Sequence, residues 1–228
     1  MSKVYIYKKF ERFWHWSQAA LILFLAITGF EVHDSFTLFG YEKAVYFHRT
    51  ASYALLVLIA FAIFWHITTG EWKQYIPNVG KLRAQLKYYT NGIFKNEAHP
   101  TQKTRLSKLN PLQAFTYLGF KLILVPMMVI SGLFYMFHKT VDANSEVIIR
   151  DMNLGKIANW HTFGAFLLLA FVIVHVYMTT TGHTYTSNIK AMITGYEELE
   201  DEVAQESKSA NENTDTPKNT VLPKAKQI

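Results

Sequence analysis

The sequence predicts an all-α fold, an integral membrane four-helix bundle. Three observations predict it. Half of the 228 residues are apolar, and they gather into four runs near the length a bilayer demands, about 20 residues of helix for a core about 30 Å thick. Runs such as ALLVLIAFAIF and FLLLAFVIVHV lack the polar stripe that a helix of a soluble bundle carries. Basic residues concentrate in alternate connecting segments, which sets an orientation across a membrane.

The first run, about 13–33, follows a basic segment with Lys3, Lys8, Lys9 and Arg12. Its length, its opening Trp14 and Trp16, and the lack of a small-x-small cleavage pattern suit a retained helix better than a signal peptide. The second run is about 46–68, the third about 115–137 and the fourth about 160–182. Together they define a membrane domain over 1–196. The segment 69–114 is rich in Lys and Arg, and EWKQYIPNVGKLRAQLKYYTNGIF within it suits a short amphipathic helix at the interface. The segments 33–45 and 138–159 are poorer in basic residues. Both termini and the middle segment are therefore expected on the cytoplasmic side. After Tyr196, EELEDEVAQE is read as an extension of a helix, and 197–228 as a whole as a polar tail of disordered composition.

The net charge of +6 follows from this bias. No basic stripe carries the interleaved aromatics of a nucleic-acid surface, so lipid is an expected partner and nucleic acid is not. The chain has no cysteine. That excludes disulfides, thiolate metal sites, iron–sulfur clusters and covalent c-type haem attachment. No two helices carry Glu-x-x-His pairs, so a di-iron bundle is not expected.

The chemistry lies in the histidines. Ionisable residues within a spanning helix are uncommon and usually functional. His161 and His175 are separated by 14 residues, a rise of about 21 Å and a rotation within about 40° of four full turns. They share a face, one near each side of the membrane. Such a pair suits two planar cofactors stacked across the bilayer, and neutral imidazole is a standard axial ligand of haem iron. Each iron needs a second ligand at matching depth. His48 opens the second helix on the outer side, and His15 opens the first on the inner side. Depth therefore pairs His48 with His161 at an outer haem and His15 with His175 at an inner one.

His66 follows His48 by 18 residues, about five turns, so it faces the same way at inner depth. It is read as an alternative inner ligand, as a propionate or quinone contact, or as an interfacial histidine beside Trp65 and Trp72. His183 lies on the His175 face just past the fourth helix. His33, His99 and His138 are read as loop residues. Gly29, Gly132 and Gly164 let helix backbones, or a flat ring, come close.

RFWHW (12–16), ITGF (27–30), FHRTA (47–51), NPLQ (110–113), the His161/His175 pair and AMITG (191–195), in this order and spacing, resemble the membrane cytochrome b subunits of respiratory nickel-iron hydrogenases, formate dehydrogenases and thiosulfate reductases. The resemblance covers about residues 8–196. It implies two b-type haems with ligands at the positions paired above by depth. It also implies a quinone or menaquinone site near the inner haem, with Asn110 near the quinone alongside Leu112 and Gln113. Pro111 fixes its own φ and biases Asn110 away from helix. That suits a turn that aims an amide at a quinone, and it equally suits a cap on the third helix.

The expected function is electron transfer between a membrane quinone and a periplasmic redox enzyme or multihaem cytochrome, with this chain as one subunit of a larger respiratory oxidoreductase. The alternative is a non-redox anchor or carrier that uses its buried histidines for protons or metal. Within the apolar runs the single acidic residue is Glu31, near an end, whereas proton-coupled carriers tend to keep one midway.

Overall fold

The computed structural model describes residues 2–76, 78–92, 95, 108–144, 154–180 and 184–199, without the side chains of 138–144 and a few others. His99, His183, the His138 side chain and the 200–228 tail lie outside the described residues. Among the described residues, four helices are long and apolar enough to cross a membrane: Lys9–Val32, Tyr41–Thr69, Pro111–Phe137 and Leu154–Thr179.

Helix α1 (Lys9–Val32) starts one turn before the apolar run. Glu11 accepts the Lys8 backbone N–H at 2.7 Å, satisfying a donor at a helix start where several have no helical partner. Helix α2 (Tyr41–Thr69) likewise begins before its apolar run. Its entry is held by Glu31, whose Oε1 accepts the backbone N–H groups of Leu38, Phe39 and Gly40 at 2.6–2.7 Å. Glu31 is thus a clasp for the α1–α2 loop. Helix α2 ends at Gly70, whose φ of 71° is left-handed, the usual role of glycine after a helix.

The middle segment forms a 3₁₀ turn, Glu71–Tyr75, and a short helix α3, Val79–Lys87, which is the helix expected there. The third span is α4 (Pro111–Gly119), a π turn (Phe120–Leu124) and α5 (Val125–Asn144). Pro126 explains the π turn. It has no N–H for the carbonyl one turn back, and the helix widens just ahead of it. Helix α6 (Leu154–Thr179) is the fourth span, and a short helix α7 (Ser187–Thr194) follows.

The end of the domain departs from the sequence reading. Strand β1 (Ser2–Tyr5) pairs antiparallel with β2 (Tyr196–Leu199), so residues 196–199 are strand and not a helical extension. Gly195 makes this pairing possible. Its φ is +89°, and a Cβ there would sit 2.6 Å from the Tyr5 ring. The pairing ties the two ends of the domain to one side of the bundle, as an even number of spans requires.

The core is built from two hairpins. Helix α1 packs along α2, and α5 packs along α6, while the two hairpins approach each other far less closely among the described residues. Small residues Ala44, Ala51 and Ala62 are buried along α2, letting its backbone come close to its neighbours. The outward faces expose large apolar side chains such as Leu23, Phe61, Ile123 and Ile173.

Candidate functional site

The histidine pairs bridge the two hairpins. His48 on α2 faces His161 on α6 with ring centroids 6.3 Å apart. His15 on α1 faces His175, also on α6, at 6.1 Å. His15 stands in the second turn of α1, and His48 about two turns into α2, because both helices start earlier than their apolar runs.

The His48–His161 end is built twice over. Thr28 Oγ1 on α1 lies 3.0 Å from His48 Nδ1, and Ser131 Oγ on α5 lies 3.0 Å from His161 Nδ1. Gly29 and Gly132 follow these hydroxyl residues. A Cβ at either would lie 3.2 Å from the Cε1 of the facing imidazole. These glycines therefore admit an imidazole edge against a helix.

The His15–His175 end is built differently. Tyr117 Oη on α4 lies 3.0 Å from His175 Nδ1. Phe171 stacks on the His175 ring at 5.9 Å, and Phe120 stacks on Phe171 at 4.4 Å. Among the described residues, His15 Nδ1 and, one turn earlier, Arg12 Nε are buried without a hydrogen-bond partner. Arg12 Nη1 donates to the Ile193 carbonyl, and Trp16 Nε1 to that of Met192, which holds the end of α7 against α1.

These residues fit haem. A metal–imidazole bond is about 2 Å long and the ring centre lies about 1 Å beyond the nitrogen. Two imidazoles on opposite sides of one metal thus have centroids about 6 Å apart. Among the described residues no group of three or more His, Cys, Asp or Glu side chains could hold a metal ion. Each pair would offer two imidazole nitrogens to an iron whose other positions a macrocycle fills. The wider spacing between hairpins suits a flat group. The unpartnered Arg12 Nε suits an anionic substituent on it.

His66 lies apart from both pairs. Its Nδ1 is 2.7 Å from the Ala62 carbonyl, so Nδ1–H donates there and Nε2 is left as an acceptor. Tyr75 Oη and Lys121 Nζ stand 3.3 and 3.4 Å from that nitrogen. Lys121 also lies over the Tyr75 ring at 3.4 Å and the Trp14 ring at 5.2 Å. Beyond them, buried Lys108 bridges Glu11 at 2.6 Å and Glu71 at 3.2 Å, and Lys8 reaches Glu71 at 2.9 Å. Burial pushes the Glu71 carboxyl up, but the Lys8 and Lys108 ammonium groups outweigh it and hold the carboxyl below the usual range. Burial, joined by the Glu11 carboxylate, pushes the Tyr75 phenol far up, so it keeps its proton.

Sequence reasoning missed Tyr117, Lys121 and this ion network. Lys121 had a signal: it is the one charged side chain in the third apolar run. Asn110 and Gln113 form a capping box on α4. Gln113 N–H donates to Asn110 Oδ1 at 2.8 Å, and Asn110 N–H to Gln113 Oε1 at 3.1 Å. Both carbonyl oxygens are committed there.

Comparison with known proteins matches residues 6–195 to the family described as prokaryotic cytochrome b561. An Escherichia coli (strain K12) protein named "Putative cytochrome YdhU" is 31% identical over 205 residues, covering 85% of this chain and 74% of that protein. Two proteins named "Probable Ni/Fe-hydrogenase B-type cytochrome subunit" also match. The one from Rhizobium leguminosarum bv. viciae is 27% identical, covering 84% of this chain and 87% of its own. The one from Cupriavidus necator is 24% identical, covering 86% and 88%. No solved structure matches the chain at a significant level.

Proposed function

This chain belongs to the prokaryotic cytochrome b561 family, and from that membership we propose that it is a di-haem cytochrome b that carries electrons across a bacterial inner membrane. The observation that carries the reading is the pair of facing imidazoles at each end of the bundle, 6.1 and 6.3 Å between ring centroids. His15 and His175 would hold the inner iron, and His48 and His161 the outer one. Haem b supplies one-electron chemistry when bound. The chain would supply the imidazole nitrogens that hold the group, the glycines that admit the rings, and a low-dielectric setting closed off by Phe120, Phe171 and their neighbours.

The same reading gives the chain a quinone or menaquinone at the His15–His175 end and a periplasmic redox enzyme or multihaem cytochrome at the other, with both termini cytoplasmic. A quinone headgroup needs hydrogen-bond donors and an apolar slot. The side-chain amide nitrogens of Asn110 and Gln113 remain available as donors after capping. Lys121 and the protonated Tyr75 phenol, gathered around His66, add donors on the same side of the bundle. In this arrangement His66 serves the quinone side and not an iron. The hydrogenase subunit names of two relatives support a larger redox enzyme as partner. A reduced-minus-oxidised absorption spectrum of the purified protein tests the proposal. Sharp low-spin b-type bands, with two haems per chain by extraction, are expected. A featureless spectrum from protein expressed with ample haem would overturn it in favour of a non-redox anchor.

A further inference from the structure

Building on the haem reading, we infer that Thr28 and Ser131 are positioning residues that fix the tautomer of His48 and His161 and lower the reduction potential of the iron held between them. Thr28 Oγ1 lies 2.9 Å from the Phe24 carbonyl, and Ser131 Oγ lies 2.6 Å from the Met127 carbonyl. A hydroxyl has one proton, and in both residues it goes to the carbonyl one turn back. Toward the imidazole, 3.0 Å away in both cases, the hydroxyl is left to accept. Nδ1 must therefore carry the hydrogen, and Nε2 presents its lone pair to the metal.

The glycine after each hydroxyl completes the cradle. A Cβ at Gly29 or Gly132 would lie 3.2 Å from Cε1 and 3.6 Å from Nδ1 of the facing ring. The two hairpins thus offer the same hydroxyl–glycine step, one on α1 and one on α5, each to an imidazole on its partner helix. Among the described residues the other end has no counterpart: there His175 Nδ1 meets a phenol, and His15 Nδ1 meets no partner.

An acceptor on Nδ1–H makes an imidazole more basic and a stronger donor to its metal. Stronger donation favours the oxidised iron, and such hydrogen bonding is one of the protein's levers on haem potential. Two cradled ligands on one iron bias an electron away from it and toward the other end of the bundle.

Redox titration of the full-length protein in detergent, followed by haem absorbance, tests this. His48→Ala identifies which wave belongs to this end. Thr28→Val with Ser131→Ala should move that wave to more positive potential and leave the other in place, with two haems still bound. Thr28→Ser and Ser131→Thr should restore the wild-type value, and Tyr117→Phe should move only the other wave. An unmoved wave, or one moved to more negative potential, overturns the inference. So does loss of this haem from Thr28→Ser as well as Thr28→Val, which would make Thr28 a packing group only. A wild-type haem content below two would count against the underlying di-haem reading instead.

Discussion

His48 and His161 come from different hairpins, yet their rings face each other with centroids 6.3 Å apart. Beside them, Thr162 Oγ1 on α6 lies 3.1 Å from His33 Nε2 at the end of α1, a second polar link between the hairpins. A metal held between them would give the pair a physical reason to exist.

The glycine cradles should be sensitive to added bulk. At 3.2 Å a Cβ on Gly29 or Gly132 is a tight contact. Gly29→Ala requires His48 to shift by a few tenths of an ångström, and Gly29→Val requires more. Haem extraction should give near-normal content for the alanine variants and loss of one haem for Gly29→Val and Gly132→Val.

Asn110 separates capping from quinone contact. Serine is a good N-cap, and alanine costs about 1 kcal/mol there. Asn110→Ser should keep α4 stable by thermal denaturation but slow haem reoxidation by a quinone analogue, because it removes the amide donor. If Asn110→Ser exchanges electrons at the wild-type rate, Asn110 is a cap alone.

The ion network predicts acid sensitivity. Glu71 has its carboxyl held below the usual range by Lys8 and Lys108. Its contribution to stability is full above the ordinary glutamate value of about 4.3 and disappears as the pH falls through the lowered value. Thermal denaturation at falling pH should show an acid loss that Glu71→Gln lacks, since that variant is already weakened at neutral pH. Lys108→Met leaves Glu11 buried without its cation and should cost about 3–5 kcal/mol.

Orientation is open to reporter fusions. A fusion after residue 228 should be active only in the cytoplasm, and one at residue 145 only in the periplasm. The opposite result would exchange the inner and outer sides assigned to the two histidine pairs.

The spans and the facing histidines were legible because helix rise and rotation are fixed quantities. Depth alone brings His15 to His175 and His48 to His161. The helix starts at Lys9 and Tyr41 were not legible, because polar residues with local caps extend a helix past its apolar run. The β1–β2 pair was hidden for another reason: its strands have four residues each and come from opposite ends of the domain. Tyr117 and Lys121 escaped because periodicity arguments look for apolar faces. Inside a membrane bundle the polar face is the informative one. The roles of Thr28 and Ser131 needed coordinates, since a Thr-Gly or Ser-Gly step reads equally well as helix packing.

The central claim is that each facing pair holds one haem. The direct measurement is haem content and optical spectrum of four single variants, His15→Ala, His48→Ala, His161→Ala and His175→Ala, against His66→Ala. Each of the four should retain one haem, with His48→Ala and His161→Ala giving one residual spectrum and His15→Ala and His175→Ala the other, while His66→Ala keeps both haems. Loss of a haem from His66→Ala with two retained in His15→Ala would contradict the account.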